Sequence, residues 1–185
     1  MDKELPISPW PEWKIVSKIG EGSFGRVYKA QRTEKGRSFY SAIKIITIPA
    51  SKGELDSVRS ESGDEKSVRG YFENLVEECI QEVSTMEYFR GNSHIVSVED
   101  YKVMEYLDEI GWDIFIRMEY LTSFMEYYAG KNLTEKEVMK LGIDLCKNQS
   151  SFFVSHLKIP LYPVAKKCIL WYNDSILAAN SPTEE

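Results

Sequence analysis

Ile19-Gly20-Glu21-Gly22-Ser23-Phe24-Gly25-Arg26-Val27 is the stretch whose reading decides the fold. Glycines at this spacing occur in two settings. In dinucleotide-binding folds they open a helix, and the helix N-terminus holds a pyrophosphate. Here they run into Arg26-Val27-Tyr28-Lys29-Ala30, a poor helix opening and a good strand. The loop therefore reads as a hairpin tip between strands at 13–19 and 26–31. Such a tip folds over phosphates only where backbone approaches closely, and residues without a Cβ permit that. An ordinary glycine-rich hairpin is the competing reading.

Working outward, Thr33-Glu34-Lys35-Gly36 has turn chemistry, and residues 39–48 form a third strand that Pro49 closes. Lys44 lies on that strand, in Ser41-Ala42-Ile43-Lys44. A surface lysine on an edge strand is the bland reading. Its spacing from the glycines favours a nucleotide role, in which the ammonium is a point charge for the α- and β-phosphates. Residues 50–69 are polar and read as a flexible connection or insertion, with room for a short helix.

From 70 to 89 the apolar residues Tyr71, Phe72, Leu75, Val76, Cys79, Ile80, Val83 and Met86 recur at three- and four-residue steps. That is the stripe of an amphipathic helix. Glu82 falls on or beside the stripe, where a carboxylate is costly unless paired. It is the candidate partner for Lys44, with Glu78 one turn earlier as its competitor. Strands at 95–106 and 112–120 follow, joined by a turn at 108–111. The expected lobe is α+β: a five-stranded antiparallel sheet with one packed helix.

Two helices are expected next, one starting at Ser123 and stopped by Gly130. The other is opened by Thr134-Glu135-Lys136-Glu137, a capping box with Leu133 and Val138 as a hydrophobic staple. After Lys147 no clean period of either kind remains. Residues 148–185 read as an irregular tail, for which a shifted reading frame is one account.

In this order and spacing, the motifs resemble the N-terminal lobe of a eukaryotic-type Ser/Thr protein kinase, of the kind bacteria also carry. The matching residues are Ile19 through Val27, Ala42-Ile43-Lys44, and Glu82-Val83 with Met86 and Phe89. Asn92-Ser93-His94-Ile95-Val96 and Ile116-Arg117-Met118-Glu119-Tyr120-Leu121 complete the set. The likeness covers residues 10–147, including the start of a C-terminal lobe. It implies that the loop of Gly20, Glu21, Gly22, Ser23, Phe24 and Gly25 covers the phosphates of ATP. It implies that Lys44 holds them and that Glu82 positions Lys44. By the same resemblance Ile19, Val27 and Ala42 roof the adenine, Met118 is the gatekeeper, and the backbone of Glu119 and Leu121 faces the base.

The likeness then stops. In the family the last helix leads into a catalytic loop whose Asp orients the substrate hydroxyl, and a later Asp-Phe-Gly holds metal. No His-Arg-Asp and no Asp-Phe-Gly occurs in this sequence. A positioned base contributes roughly 10²–10⁴ in rate, and metal neutralisation of phosphate charge contributes more. The expectation is weak ATP binding, Mg2+ held only through the nucleotide, no protein metal ligands, and phosphoryl transfer near background. His156 reads as a surface or packing residue, and Asn173-Asp174 as turn residues. The alternatives are a non-catalytic module that docks a protein partner through the exposed helix 135–147, and a truncated remnant without function.

Composition agrees with a soluble globular protein, at 43% hydrophobic and 28% charged residues over 185 positions. A formal net charge of −6 argues against nucleic acid or an anionic membrane as the main partner. Cys79, Cys146 and Cys168 are odd in number and lack metal-ligand spacing, so free thiols are expected. The start, Met1-Asp2-Lys3-Glu4-Leu5-Pro6, has no apolar core of a secretory signal, and no apolar run nears the roughly 20 residues of a membrane span. The expected location is the cytoplasm.

Overall fold

The computed structural model describes residues 5–22, 25–91, 96–122, 134–140 and 143. The chain divides into two compact units, Met1–Leu121 and Thr122–Glu185. In the first, strands β1 (Lys14–Gly22), β2 (Gly25–Glu34) and β3 (Arg37–Ile48) are followed by helices α1 (Lys52–Glu61) and α2 (Glu65–Tyr88). Strands β4 (Val98–Glu105) and β5 (Trp112–Glu119) complete it. All pairings are antiparallel, and the five strands form one sheet in the order β1-β2-β3-β5-β4. The architecture is α+β.

Alternation along β3 sorts the core into two layers. Ala42, Ile46 and Ile48 pack with Phe72, Val76 and Val83 of α2 and with Ile114, Ile116 and Met118 of β5. Phe72 is wholly buried there, a burial worth about 1.5–3 kcal/mol by area. Ile43 and Ile45 face the other way, into a cluster with Trp10, Trp13, Tyr28, Ala30 and Phe115. Both faces of β3 are therefore covered, which is why its sequence reads as a nearly continuous apolar run. The segment ahead of β1 supplies the second cover, with Trp10 and Trp13 only 4% and 6% exposed.

Two expectations are corrected. Residues 50–69 are not a flexible connection: the short helix for which they left room is α1, at Lys52–Glu61, and α2 takes the stretch from Glu65 on. Ser51 caps α1 by accepting from the Glu54 amide, and the Glu54 carboxylate accepts from the Ala50 amide at 2.7 Å. The long helix begins at Glu65 rather than at 70. Asp64 caps it by accepting from the Ser67 amide at 2.9 Å, and Val68 on its first turn is buried. Gly70 lies inside the helix, where burial of Val68 and Phe72 outweighs its cost of about 1 kcal/mol. The sheet thus carries two helices, not one. The strands β1 to β3 also extend further toward their turns, to the closing pairs Gly22–Gly25 and Glu34–Arg37.

In the second unit, residues 135–140 and 143 are helical. The capping box forms as spelled in the sequence. The Thr134 amide donates to the Glu137 carboxylate at 2.9 Å, and the Glu137 amide donates to Thr134 Oγ1 at 3.4 Å. The helix expected from Ser123, Leu133 of the staple, and the tail at 148–185 lie outside the described residues. Among the described residues, no helix is long and apolar enough to cross a membrane.

Candidate functional site

β3 is the central strand, so Lys44 stands on neither edge of the sheet. It is 6% exposed. The reading of Lys44 as a surface lysine on an edge strand is therefore removed. Its cross-strand neighbours are Val27 on β2 and Ile116 on β5. Directly opposed residues share a face of a sheet, and both neighbours belong to the layer under α2. Lys44 accordingly rises on the α2 side. One step along the same face, Ala42 is flanked by Lys29 and Met118. Val27, Ala42, Lys44 and Met118 thus form one contiguous patch.

A buried ammonium is costly without anionic company. Helix α2 packs on this face and carries the two candidate carboxylates. Glu82 is half-buried with one carboxylate oxygen shielded from solvent, whereas Glu78 is exposed. Of the two carboxylates expected as partners, Glu82 is the more buried. Cys79 marks where α2 and β3 converge. Burial first, then the Glu82 carboxylate, pushes its thiol up to about 11, while Lys44 pulls it down and Glu78 adds a smaller upward push. One sulfur atom on α2 therefore feels the charges of both Lys44 and Glu82.

The glycines divide by cause. Gly25 has φ +122°, and a Cβ on it would meet the Ile45 carbonyl oxygen at 2.2 Å. The sheet itself requires glycine there. Gly20 is the cross-strand partner of Val27. A Cβ on Gly20 would meet only the Val27 Cβ, at an ordinary 3.9 Å. Among the described residues nothing in the packing demands glycine at 20, so its missing side chain leaves room beside Val27. Gly22 pairs with Gly25 to close the hairpin.

Other expected site residues are placed less fully. Ile19 is the extra residue of a bulge between Lys18 and Gly20 and is 45% exposed. Glu21 pairs with Lys18 on the surface. Ser23 and Phe24 at the tip lie outside the described residues, as do Asn92, Ser93, His94 and Ile95. The Glu119 amide donates to the Ser97 carbonyl at 3.1 Å, and its carboxylate accepts from the Ser97 amide at 2.8 Å. The expectation that the Glu119 backbone faces a base is thereby narrowed to its carbonyl. Leu121 is exposed.

Sequence reasoning missed two features near this patch. One is the pair Trp10 and Trp13, for which a Trp-x-x-Trp spacing ahead of the first strand was the available signal. The other is Glu99, which pairs with Arg117 and accepts from Ser41 on the opposite face; no local pattern announces it. Among the described residues, no group of three or more His, Cys, Asp or Glu side chains is placed to hold a metal ion. Asp144, His156 and Asp174 lie outside the described residues. A scan against protein-family models finds no match, and a search of curated proteins finds no significant relative.

Proposed function

We propose that the first unit binds ATP weakly, as the nucleotide-gripping half of a site built like the N-terminal lobe of a Ser/Thr protein kinase. The observation that carries this reading is the burial of Lys44 at the centre of the sheet, on the face that α2 approaches with Glu82. If packing were the only role, an apolar side chain would fill that position at lower cost. The room left by Gly20 beside Val27 supports the same reading.

In this proposal Lys44 meets the α- and β-phosphates, and Glu82 holds its ammonium in place. The glycine hairpin covers them. Val27, Ala42 and Met118 supply apolar contact for adenine, with the Glu119 carbonyl and the Leu121 backbone as its polar contacts. Mg2+ arrives with the nucleotide. These residues supply no base for a substrate hydroxyl, since the sequence holds neither His-Arg-Asp nor Asp-Phe-Gly. The activity proposed for them is binding without phosphoryl transfer, in a cytoplasmic setting.

The test is titration of the full chain with a fluorescent ATP analogue, for the wild type and for Lys44→Met. Loss of the charged contact should weaken binding by about tenfold or more, with the circular dichroism spectrum retained. An unchanged affinity sinks the assignment. A second reading, a non-catalytic docking module, is favoured by Val138, Met139 and Ile143, which are exposed on helical residues of the second unit. A sharp monomer in sedimentation, with no protein recovered alongside it, counts against that reading.

A further inference from the structure

The face of the sheet away from α2 carries a charged cluster that nucleotide binding does not use. β4 and β5 pair Val98 with Met118 and then Asp100 with Arg117, so Glu99 is the extra residue of a bulge. Bulges re-aim side chains, and they are common beside functional sites. The Glu99 carboxylate accepts from Ser41 Oγ at 2.7 Å and pairs with the Arg117 guanidinium. Ser41 is wholly buried and directly precedes Ala42. Arg117 directly precedes Met118. A single carboxylate on β4 therefore ties β3 to β5 immediately behind two residues of the proposed adenine contact.

The arginine half of the tie is covered, while the Glu99 side chain is 37% exposed. The Arg117 guanidinium lies 5.5 Å from the Trp10 ring centroid and 5.1 Å from that of Trp13. Its side chain is 16% exposed. Trp10 is held over it by a bond from Nε1 to the Asp100 carboxylate at 2.6 Å.

We infer that Glu99 and Arg117 are positioning residues for the adenine end of the site. The inference rests on the ATP-binding reading. Alternation sends Ile116 and Met118 to the α2 face and Arg117 to the other, so neither charged residue touches the nucleotide. They fix the end of β5, from which Glu119 to Leu121 meet the base. Lys44 grips phosphate from the other face of β3, where its neighbours are Val27 and Ile116 rather than the residues of the tie.

The two ends are separated experimentally by comparing ATP with tripolyphosphate, which has the phosphates and no base. Competition binding to the full chain would be measured for the wild type, Glu99→Gln and Lys44→Met. The wild type should prefer ATP. Glu99→Gln should weaken ATP by about three- to tenfold, the range of coupling through a packed network, and leave tripolyphosphate within about twofold. Lys44→Met should weaken both. If Glu99→Gln does not fold, Ser41→Ala removes one of the two bonds and should show the same selective loss, smaller in size. An equal loss of both ligands, or no loss of ATP, overturns the positioning role while leaving the nucleotide reading intact. A wild type that binds both ligands equally overturns the adenine contact and the positioning role with it, while leaving phosphate binding intact. A wild type that binds neither overturns the ATP-binding reading and the inference with it.

Discussion

A Cβ placed on Gly25 would sit 2.2 Å from the Ile45 carbonyl oxygen. The hairpin tip thus crosses the backbone of β3 closer than any side chain allows, and the φ of +122° adds strain for every other residue type. Gly25→Ala should cost at least about 2 kcal/mol of folding stability, from overpacking and backbone strain together. Gly20→Ala should change stability by no more than about 0.5 kcal/mol and should weaken ATP. Urea denaturation and nucleotide titration of the two variants check this. A Gly20→Ala protein as unstable as Gly25→Ala would assign both glycines to sheet packing and withdraw the support Gly20 lends to a nucleotide.

Cys79 offers a chemical readout of the Lys44 and Glu82 charges. The thiolate is the form that alkylates, and burial and Glu82 raise the thiol from its usual 9.0 to about 11. Alkylation of Cys79 should therefore be slow at pH 9, and its rate should climb toward pH 11. Glu82→Gln should speed it, and Lys44→Met should slow it, because the two charges act in opposite directions. The linked effect on folding has a definite sign. The protonated thiol is favoured in the native state, so its contribution is present below pH 9 and lost as pH rises through about 11. Mass spectrometry of the Cys79 peptide follows the rates, and the opposite order for the two variants would contradict the convergence of β3 and α2 at this sulfur.

Much of the sheet was legible because β3 is apolar on both faces and its neighbours carry clear turn chemistry. Val27, Ala42, Lys44 and Met118 were brought together by the family resemblance, and the register places the four on one face. The stripe left Glu82 and Glu78 both open, and the structure adds that Glu82 is the more buried of the two. Helix α1 was allowed for but not located, because only Leu55 among its residues is buried and no apolar period exists to read. Its signal was the cap, Ser51 followed three residues later by Glu54. The start of α2 was misplaced because Gly70 looks like a boundary, although Val68 before it is core. The tryptophan cover escaped for a different reason. Its contacts reach Asp100, Lys102 and Arg117, some 90 residues away in sequence for the Asp100 bond, and no local pattern encodes such a partner.

Asp64 supports α2 through its charge. Its carboxylate accepts from the Ser67 amide at 2.9 Å and from the Ser67 hydroxyl at 2.8 Å. The amide bond, followed by the hydroxyl, holds its pKa below the usual 3.8. The sign follows from the lowered value: the contribution is present above the usual pKa and is lost as pH falls through the lowered one. Asp64→Ala should lower the melting temperature at neutral pH, and the gap from the wild type should close under acid. Asp64→Asn should keep much of the cap and lose the pH dependence. Thermal scans across pH test this, and a gap that persists in acid would show that the charge is not what holds the helix start.

Trp10 decides whether residues 8–13 are part of the fold or an appendage. The ring is 4% exposed, it donates to Asp100, and the Arg117 and Lys102 cations lie over it. Lys102 also donates to the Pro9 carbonyl at 3.0 Å, which fastens the backbone of the segment. Removing the ring opens the layer over Ile43, Ile45 and Phe115 to water. Trp10→Ala should cost about 3–5 kcal/mol, the usual range for a buried large aromatic. Trp10→Phe keeps most of the apolar cover and takes the indole donor from Asp100 Oδ2, so about 1.5–3 kcal/mol is expected, as for a hydrogen bond to a charged group. Denaturation followed by circular dichroism separates the two, since a loss under about 1 kcal/mol in Trp10→Ala would mean that the sheet holds this face without the segment. A loss in the expected range makes the tryptophans structural members of the sheet, and the end of β5 then depends on a segment that precedes the first strand.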